Sequence, residues 1–516
     1  MSVDSKRVSE HGNADLPQRV DLLVIGGGIN GCGVARDAAG RGLSVLLCEK
    51  DDLAEHTSSS STKLIHGGLR YLEQYDFMLV RSSLTEREVL LKNAPHIIWP
   101  LRFLLPHNRQ LRPRWMLRIG LFLYDHIGGR KRLPKSKSID LRKHPGGTAL
   151  KPEYVHAFEY SDCWVQDARL VVLNARDAAD HGATVLTRTR CRSLRRKGDV
   201  WEAELLNCLS GDIRIVEARA VVNASGPWVE ETLNLSRAAT AKKKVRLVKG
   251  SHIIVPKLFD HPYPYIFQHS DGRVLFAIPF ERDFTLLGTT EVDFNENLEQ
   301  VAIDTSEVDY ICKAISEYFR NPITPADVVW SYSGVRPLFD DASQNVSKVT
   351  RDYELQLDDG DPPLLPVHRG TLPTYPQLAE EVSDMLAKRM RIPQSAWTAE
   401  QPLPGGKIEN ADFDRFLDNC RQRYPWLATD LLMDYARNYG TEIDRILDRC
   451  AGMDDLGEHF GGGLYAREVD HLITREWAET ADDIIWRRTK KGLRLSAAEI
   501  DRLQQWLAQH RPTIAA

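Results

Sequence analysis

The sequence predicts an α/β protein with three parts: a doubly wound domain on parallel strands, a β-rich segment, and a helical C-terminal domain. Three observations predict it. From Val20 a strand, a glycine turn, a helix and a second strand follow one another in "VDLLVIGGGINGCGVARDAAGRGLSVLLCEK". Residues 183–225 alternate as strands do and end in "AVVNASGPW", and 245–295 add the apolar runs "SHIIVP", "VLFAIPF" and "FTLLGTT". After about residue 400 the pattern turns helical. There "DHLITREWAETADDIIWRRT" puts Leu472, Ile473, Trp477, Ala481, Ile484 and Ile485 on one helical face. A boundary near Pro402–Gly406 is expected.

The first element, residues 1–18, is polar and lacks the apolar core of a signal peptide, so it reads as a disordered tail. The strand that follows ends in Gly26, Gly28 and Gly31, spaced G-x-G-x-x-G. Gly26 permits a tight turn, Gly28 lets backbone reach a pyrophosphate, and Gly31 lets the helix pack close to the strand. The helix N-terminus then turns its partial positive charge toward phosphates. Glu49, some twenty residues on, stands at the end of the second strand, where a ribose hydroxyl is held. Ile25, Gly27, Ile29 and Asn30 complete the turn and Lys50 follows the acid, so these are candidate dinucleotide contacts. The turn itself suits FAD and NAD equally.

The bulk properties narrow the class. A chain of 516 residues is too long for one core. Its 42% hydrophobic and 27% charged residues are those of a globular protein, and a net charge of −4 gives no drive toward nucleic acid. The eight cysteines are scattered without a CxxC pair or a metal-ligand spacing, which points to reduced thiols and no metal. No apolar run reaches the ~18–20 residues of a spanning helix. Residues 109–137, "RQLRPRWMLRIGLFLYDHIGGRKRLPKSK", stand out, with nine Arg or Lys against the single acid Asp125 and apolar residues from Trp115 to Tyr124 among them. Such a segment suits an anionic membrane interface.

Six stretches carry a resemblance: "TSSSSTKLIHGGLRYLE", "YSDCWVQDARLV", "NASGPWV", "VKGSHIIVP", "LLGTTE" and "YSGVRPL". In this order they resemble the aerobic bacterial type of FAD-dependent glycerol-3-phosphate dehydrogenase, over about residues 20–510. The resemblance implies a doubly wound FAD-binding domain of the glutathione-reductase type, an inserted β-rich substrate domain and a helical C-terminal domain. The expected divisions are an FAD domain in three parts (19–105, 151–245 and 331–398), a membrane-facing segment 106–150, a substrate domain 246–330 and a helical domain 399–516. The implied reaction oxidises sn-glycerol 3-phosphate to dihydroxyacetone phosphate. Its electrons pass to ubiquinone or another membrane quinone, from a cytoplasmic protein held peripherally on the inner face of the membrane. A homodimer is compatible with it.

The reaction needs a base for the hydroxyl proton and cations for a phosphate dianion. His66, flanked by glycines that let backbone near a flat ring, is the leading candidate base, and His252 the second. Arg336 in "GVRPL" is the leading phosphate ligand, with a role in catalysis as well. By resemblance Arg70, Tyr71 and Arg351 also lie near substrate, Thr57, Ser58 and Ser61 near the cofactor. One stretch departs from the family. Where its pattern is close to "FGGKLTTYR", this chain has "HRGTLPTYP". Arg369 stands for the first glycine, Thr371 for the lysine that reaches flavin or substrate, Pro373 for a threonine and Pro376 for an arginine. Gly370, the cofactor-facing glycine, keeps its place. A binding site altered at 369–376 is the reading. The alternatives are an oxidase of the same fold that uses oxygen, a related flavin amine oxidase, which arginines for phosphate disfavour, and a catalytically impaired flavin-binding paralogue.

Overall fold

The computed structural model describes residues 16–69, 76–107, 113–129, 132–236, 245–339, 353, 355–358, 360–392 and 395–510. Two sheets divide the chain. The seven-stranded sheet runs in the order Thr184–Leu186, Val45–Cys48, Arg19–Ile25, Ile213–Asn223, Val200–Asn207 and Thr189–Lys197. Leu364–Pro366 pairs in parallel with the end of Ile213–Asn223, through Val221–Leu364 to Asn223–Pro366. Leu22, Leu23 and Val24 are fully buried, as a strand covered on both faces requires. The helix Ile29–Gly40 packs on Asp167–Asp180 and on Tyr375–Met390.

The second sheet has ten strands and draws on more of the chain than 246–330. Val245–Pro256 pairs antiparallel with Phe284–Gly288 and, from Val245–Phe339 to Ile254–Trp330, with Trp330–Phe339. Ile98–His107 and His156–Val165 extend the same sheet, which places parts of the stretches expected in the FAD domain and the membrane-facing segment within it. Antiparallel pairing over ten residue pairs ties these two strands together, and no local signal told which sheet they would join.

The C-terminal part has its own core from Ile408 to Leu507. The single helix expected across 470–489 is broken. Ala466–Glu476 ends with Trp477 in the left-handed region (φ 55°), and a short π-helical piece follows at Asp483–Arg488. Leu472, Ala481, Ile484 and Ile485 are buried all the same, because the turn between the pieces returns the chain to the same core. The eight cysteines are all free thiols. No helix of the described residues is long and apolar enough to cross a membrane.

An ion pair docks this domain onto the first. Arg169, on Asp167–Asp180, donates through both terminal nitrogens to Glu476, and through Nε and Nη2 to the Asn438 carbonyl. Both side chains are about 4% exposed or less (4% and 3%). Burial pushes the Glu476 carboxyl up, but Arg169 and His471 hold it well below its usual range. Its contribution to stability is therefore complete above the ordinary carboxylate pKa of about 4.3 and is lost as pH falls below it. Glu476→Ala strands the Arg169 charge. It is expected to destabilise the protein by about 3–5 kcal/mol at neutral pH, read as a lower urea midpoint, and by less in acid. An unchanged midpoint would show that the pair does not dock the domain.

Candidate active site

A cleft of about 530 Å³ lies between the carboxyl ends of the parallel strands and one face of the second sheet. That is the crevice where open α/β sheets bind ligands. The glycine turn forms its floor. Gly26 takes φ 114°, and a Cβ there would stand 2.5 Å from the Ala224 carbonyl oxygen. A Cβ on Gly31 would stand 1.9 Å from the Gly26 carbonyl oxygen, so the helix cannot start so close to the strand with any other residue. At Gly28 the sole neighbour among the described residues is Ser58 Oγ, 3.1 Å from a Cβ, and the cleft lies in front of it. Ser58 Oγ accepts from the Ile29 N–H at 3.0 Å. Glu49 Oε2 accepts from the Gly27 N–H at 2.6 Å and Oε1 from the Asp51 N–H at 3.0 Å. Burial pushes its carboxyl above the usual range.

The loop after Glu49 is built from charged contacts. Lys50 reaches Asp51 at 2.7 Å and Glu299 at 2.8 Å and lies over the Trp228 ring. His56 Nε2 is 2.8 Å from Asp51 Oδ2. Glu49, Asp51 and His56 offer ligand atoms within 4.8 Å of one another, and those contacts account for them without an ion. Thr57 Oγ1 donates to the Val335 carbonyl at 2.6 Å, which ties the loop to the second sheet. Ser61 lines the cleft, but its hydroxyl donates to Asp167 Oδ2 at 2.7 Å. Asp167 also takes the buried Lys63 ammonium on both oxygens at 2.9 Å. Lys63 had no signal in the sequence, since its partner is more than a hundred residues away.

The opposite wall is one face of the ribbon made by Val245–Pro256 and Trp330–Phe339. Side chains alternate along a strand, so Val248, Gly250 and His252 face the cleft with Gly334, Arg336 and Leu338. A Cβ on Gly250 would stand 2.7 Å from Arg336 Nη2, so the guanidinium lies over that glycine. His252 is 2% exposed and stacks on Tyr332 at 4.9 Å. Its Nε2 is 2.9 Å from Thr62 Oγ1, and its Nδ1 is buried without a hydrogen-bond partner among the described residues. Burial, then the charges of Lys63 and Arg336, hold its pKa well below the usual value, so the ring is neutral.

His66 lines the cleft from a loop pinned elsewhere. Its Nδ1 accepts from the Gly68 N–H at 3.0 Å. The Gly67 N–H donates to Tyr124 Oη at 2.7 Å, and Tyr124 donates to Asp162, which Arg87 holds at 2.8 Å. Arg70, Tyr71 and Arg351 lie outside the described residues.

The altered stretch is the cleft's third side. Asn30 Nδ2 donates to the Arg369 carbonyl at 3.5 Å, and a Cβ on Gly370 would stand 2.4 Å from that same nitrogen. Thr371 and Thr374 share a hydroxyl contact at 2.9 Å. Arg369 is 5% exposed and lines the cleft. The sequence reading placed a crowding side chain here. The structure adds that the chain keeps one cation in this window, two residues before the place of the family's lysine.

An open backbone at Gly28, a helix N-terminus behind it and a large cleft in front of both fit a dinucleotide laid along the turn. Comparisons with known proteins agree with that fit. A family model described as "FAD dependent oxidoreductase" matches residues 21–366, and one described as "C-terminal domain of alpha-glycerophosphate oxidase" matches residues 396–509. A "D-erythritol 1-phosphate dehydrogenase" of Brucella abortus is 51% identical, over 95% of this chain and 98% of its own. A "Glycerol-3-phosphate dehydrogenase" of Pseudomonas aeruginosa is 50% identical, over 98% of both. Among solved structures, the glycerol-3-phosphate dehydrogenase of Bacillus halodurans complexed with FAD superposes with a TM-score of 0.77 at 27% identity, over 95% of this chain and 90% of that one.

Gly28→Val fills the approach to the turn, and the variant is expected to purify folded and colourless. A full complement of flavin in that variant would place the cofactor elsewhere.

Proposed function

The chain belongs to the FAD-dependent glycerol-3-phosphate dehydrogenase family and is an FAD enzyme, and from that premise we propose that it oxidises the C2 hydroxyl of sn-glycerol 3-phosphate to give dihydroxyacetone phosphate. The observation that carries the reading is the ribbon face that sets Arg336 beside His252 across from the glycine turn. FAD, when bound, supplies the acceptor for the hydride that leaves C2. The chain's own residues do the rest. Arg336 forks onto the phosphate dianion. That dianion offsets the cationic field of Lys63 and Arg336, which adds to burial, the larger cause, in depressing His252. Substrate binding thus removes the charge part of that depression, and His252 is the residue assigned to take the hydroxyl proton. His66, whose Nδ1 is occupied by the Gly68 N–H, keeps its proton on Nε2 and donates to the substrate oxygen. The leading part given to His66 on sequence grounds becomes, in this proposal, that of a donor. The relative named for D-erythritol 1-phosphate supports a second substrate, a phosphate with one more carbon. Both polyol phosphates belong in the assay.

Electrons leave, in this reading, to a membrane quinone. The support is a surface. On the helix Arg114–Ile127, Leu117, Leu121 and Tyr124 face inward, while Trp115, Met116, Ile119, Phe122 and Leu123 are exposed, Trp115 by 64%. Phe77 and Met78, at the start of the helix Phe77–Asn93, are exposed as well, Met78 by 73%. Apolar side chains of this size among arginines suit an anionic bilayer surface. Binding to anionic vesicles is expected to weaken as salt rises, since charges are screened over about 8–10 Å near physiological ionic strength. Equal binding to neutral and anionic vesicles at every salt concentration would remove the electrostatic part of the reading. Quinone reduction measured against oxygen consumption separates dehydrogenase from oxidase.

The stretch 369–376 bears on rate. Thr371 cannot supply the family lysine's charge, and Arg369 brings its charge from another point. The variant Arg369→Gly, Thr371→Lys, Pro373→Thr, Pro376→Arg is expected to speed anaerobic flavin reduction by glycerol 3-phosphate tenfold or more, each tenfold being about 1.4 kcal/mol in the transition state. Stopped-flow reduction of the two proteins side by side is the test. Equal rates would show that this stretch does not limit the reaction, and no reduction by either polyol phosphate in either protein would overturn the substrate assignment.

A further inference from the structure

We propose that the C-terminal domain holds the cofactor turn in place through Arg488 and Arg487, which makes Arg488 a positioning residue for FAD although it does not line the cleft. The chain of contacts is short. The residues after Glu49 back the glycine turn: the Ala54 N–H donates to the Gly27 carbonyl at 3.1 Å, and Leu53 Cδ2 is 2.9 Å from where a Gly27 Cβ would be. Asp52, the residue before Leu53, is 1% exposed. Arg488, fully buried, forks onto both its oxygens at 2.7 Å, and Arg487 Nε adds a third bond at 2.6 Å.

The arginines are themselves fixed. Arg488 Nε and Nη2 donate to the Glu476 carbonyl at 2.9 and 2.6 Å. Asp483 takes Arg188 at 2.8 Å and also bonds Arg487. Arg188 bonds Glu55 at 3.1 Å, and its own N–H donates to the Asp51 carbonyl at 2.9 Å. Residues 51–55 are thus gripped by side chain from the C-terminal domain and by backbone from the start of the strand Thr189–Lys197, and they pass that constraint to Gly27. A bidentate, dry arginine–carboxylate pair fixes geometry as well as charge. A pair that served only to dock two domains could have sat anywhere along their contact.

The inference rests on FAD lying along the Gly26–Gly31 turn, and three measurements keep the two ideas apart. The wild-type full chain is compared with and without FAD by hydrogen exchange. Coupling is reciprocal, so FAD is expected to protect amides at 483–491 as well as at 26–31. In Arg488→Lys, which keeps the charge and loses the fork, the FAD dissociation constant from fluorescence titration of the apoprotein is expected to rise tenfold or more with unchanged circular dichroism. Arg487→Gln, at a side chain that reaches solvent, is expected to give a smaller rise and answers the question if Arg488→Lys does not fold. Protection at 26–31 but not at 483–491, or unchanged FAD affinity in the folded variants, would overturn the clamp. Gly28→Val that retains flavin would instead overturn the site on which it rests.

Discussion

At Gly26 a side chain would overlap the Ala224 carbonyl, and at Gly31 one would overlap the carbonyl of Gly26 itself. This absence of room ties the strands Arg19–Ile25 and Ile213–Asn223 at their shared carboxyl ends, where Ile25 pairs with Asn223. The helix Ile29–Gly40 can then begin directly over the turn. Everything that lines the cleft is referred to that point: Glu49 reaches back to the Gly27 N–H, Ser58 to the Ile29 N–H, and Asn30 to the Arg369 carbonyl. A larger residue at either glycine would move the helix, and with it the registration of three separate segments.

How much of this was legible depended on range. The glycine spacing, the acid at Glu49 and the alternation of the β runs are local, and they led to the fold and to the floor of the cleft. His252 and Arg336 were singled out separately by resemblance. What the sequence could not tell is that an antiparallel register, Val248 against Arg336 and His252 against Tyr332, puts them on one face. The ion pairs Lys63–Asp167, Arg169–Glu476 and Arg488–Asp52 join residues more than a hundred positions apart and leave no periodic trace. The break at Trp477 was hidden for another reason. A turn that brings the chain back to the same core keeps the apolar spacing of an unbroken helix.

Two cations, Lys63 and Arg336, act on His252, and the protein manages Lys63 by distance from water and by pairing. Lys63 is matched by Asp167, both 1% exposed at the side chain, so its field is offset but not removed. Burial is the larger cause that depresses His252, and Lys63 and Arg336 add to it. In the proposed function a substrate phosphate at Arg336 offsets the part of this depression that is due to charge, and the part due to burial stays. In that proposal affinity for the phosphate end and chemistry at the hydroxyl end are coupled electrostatically. A substrate without the phosphate would lose rate as well as binding.

The stretch 369–376 shows how the fold accommodates residues that the family does not have there. Pro376 falls in the first turn of the helix Tyr375–Met390, where the backbone N–H has no intrahelical acceptor to lose. Pro373 sits in the turn that the Thr374 N–H closes onto the Thr371 carbonyl at 3.1 Å, and both prolines are buried without interrupting it. Thr371 satisfies its hydroxyl on Thr374. Tyr375 still fits over Gly33 and accepts from Asn174 at 3.0 Å, so the packing of this helix on the first is kept. None of these positions needs the family's residue to hold the backbone. The lysine and the first glycine are different, because they act on what enters the cleft. A charge moved by two residues changes which atom it faces, and at low dielectric that change is felt in full. In the proposed function the consequences of 369–376 fall on the chemical step, since the fold accommodates the stretch.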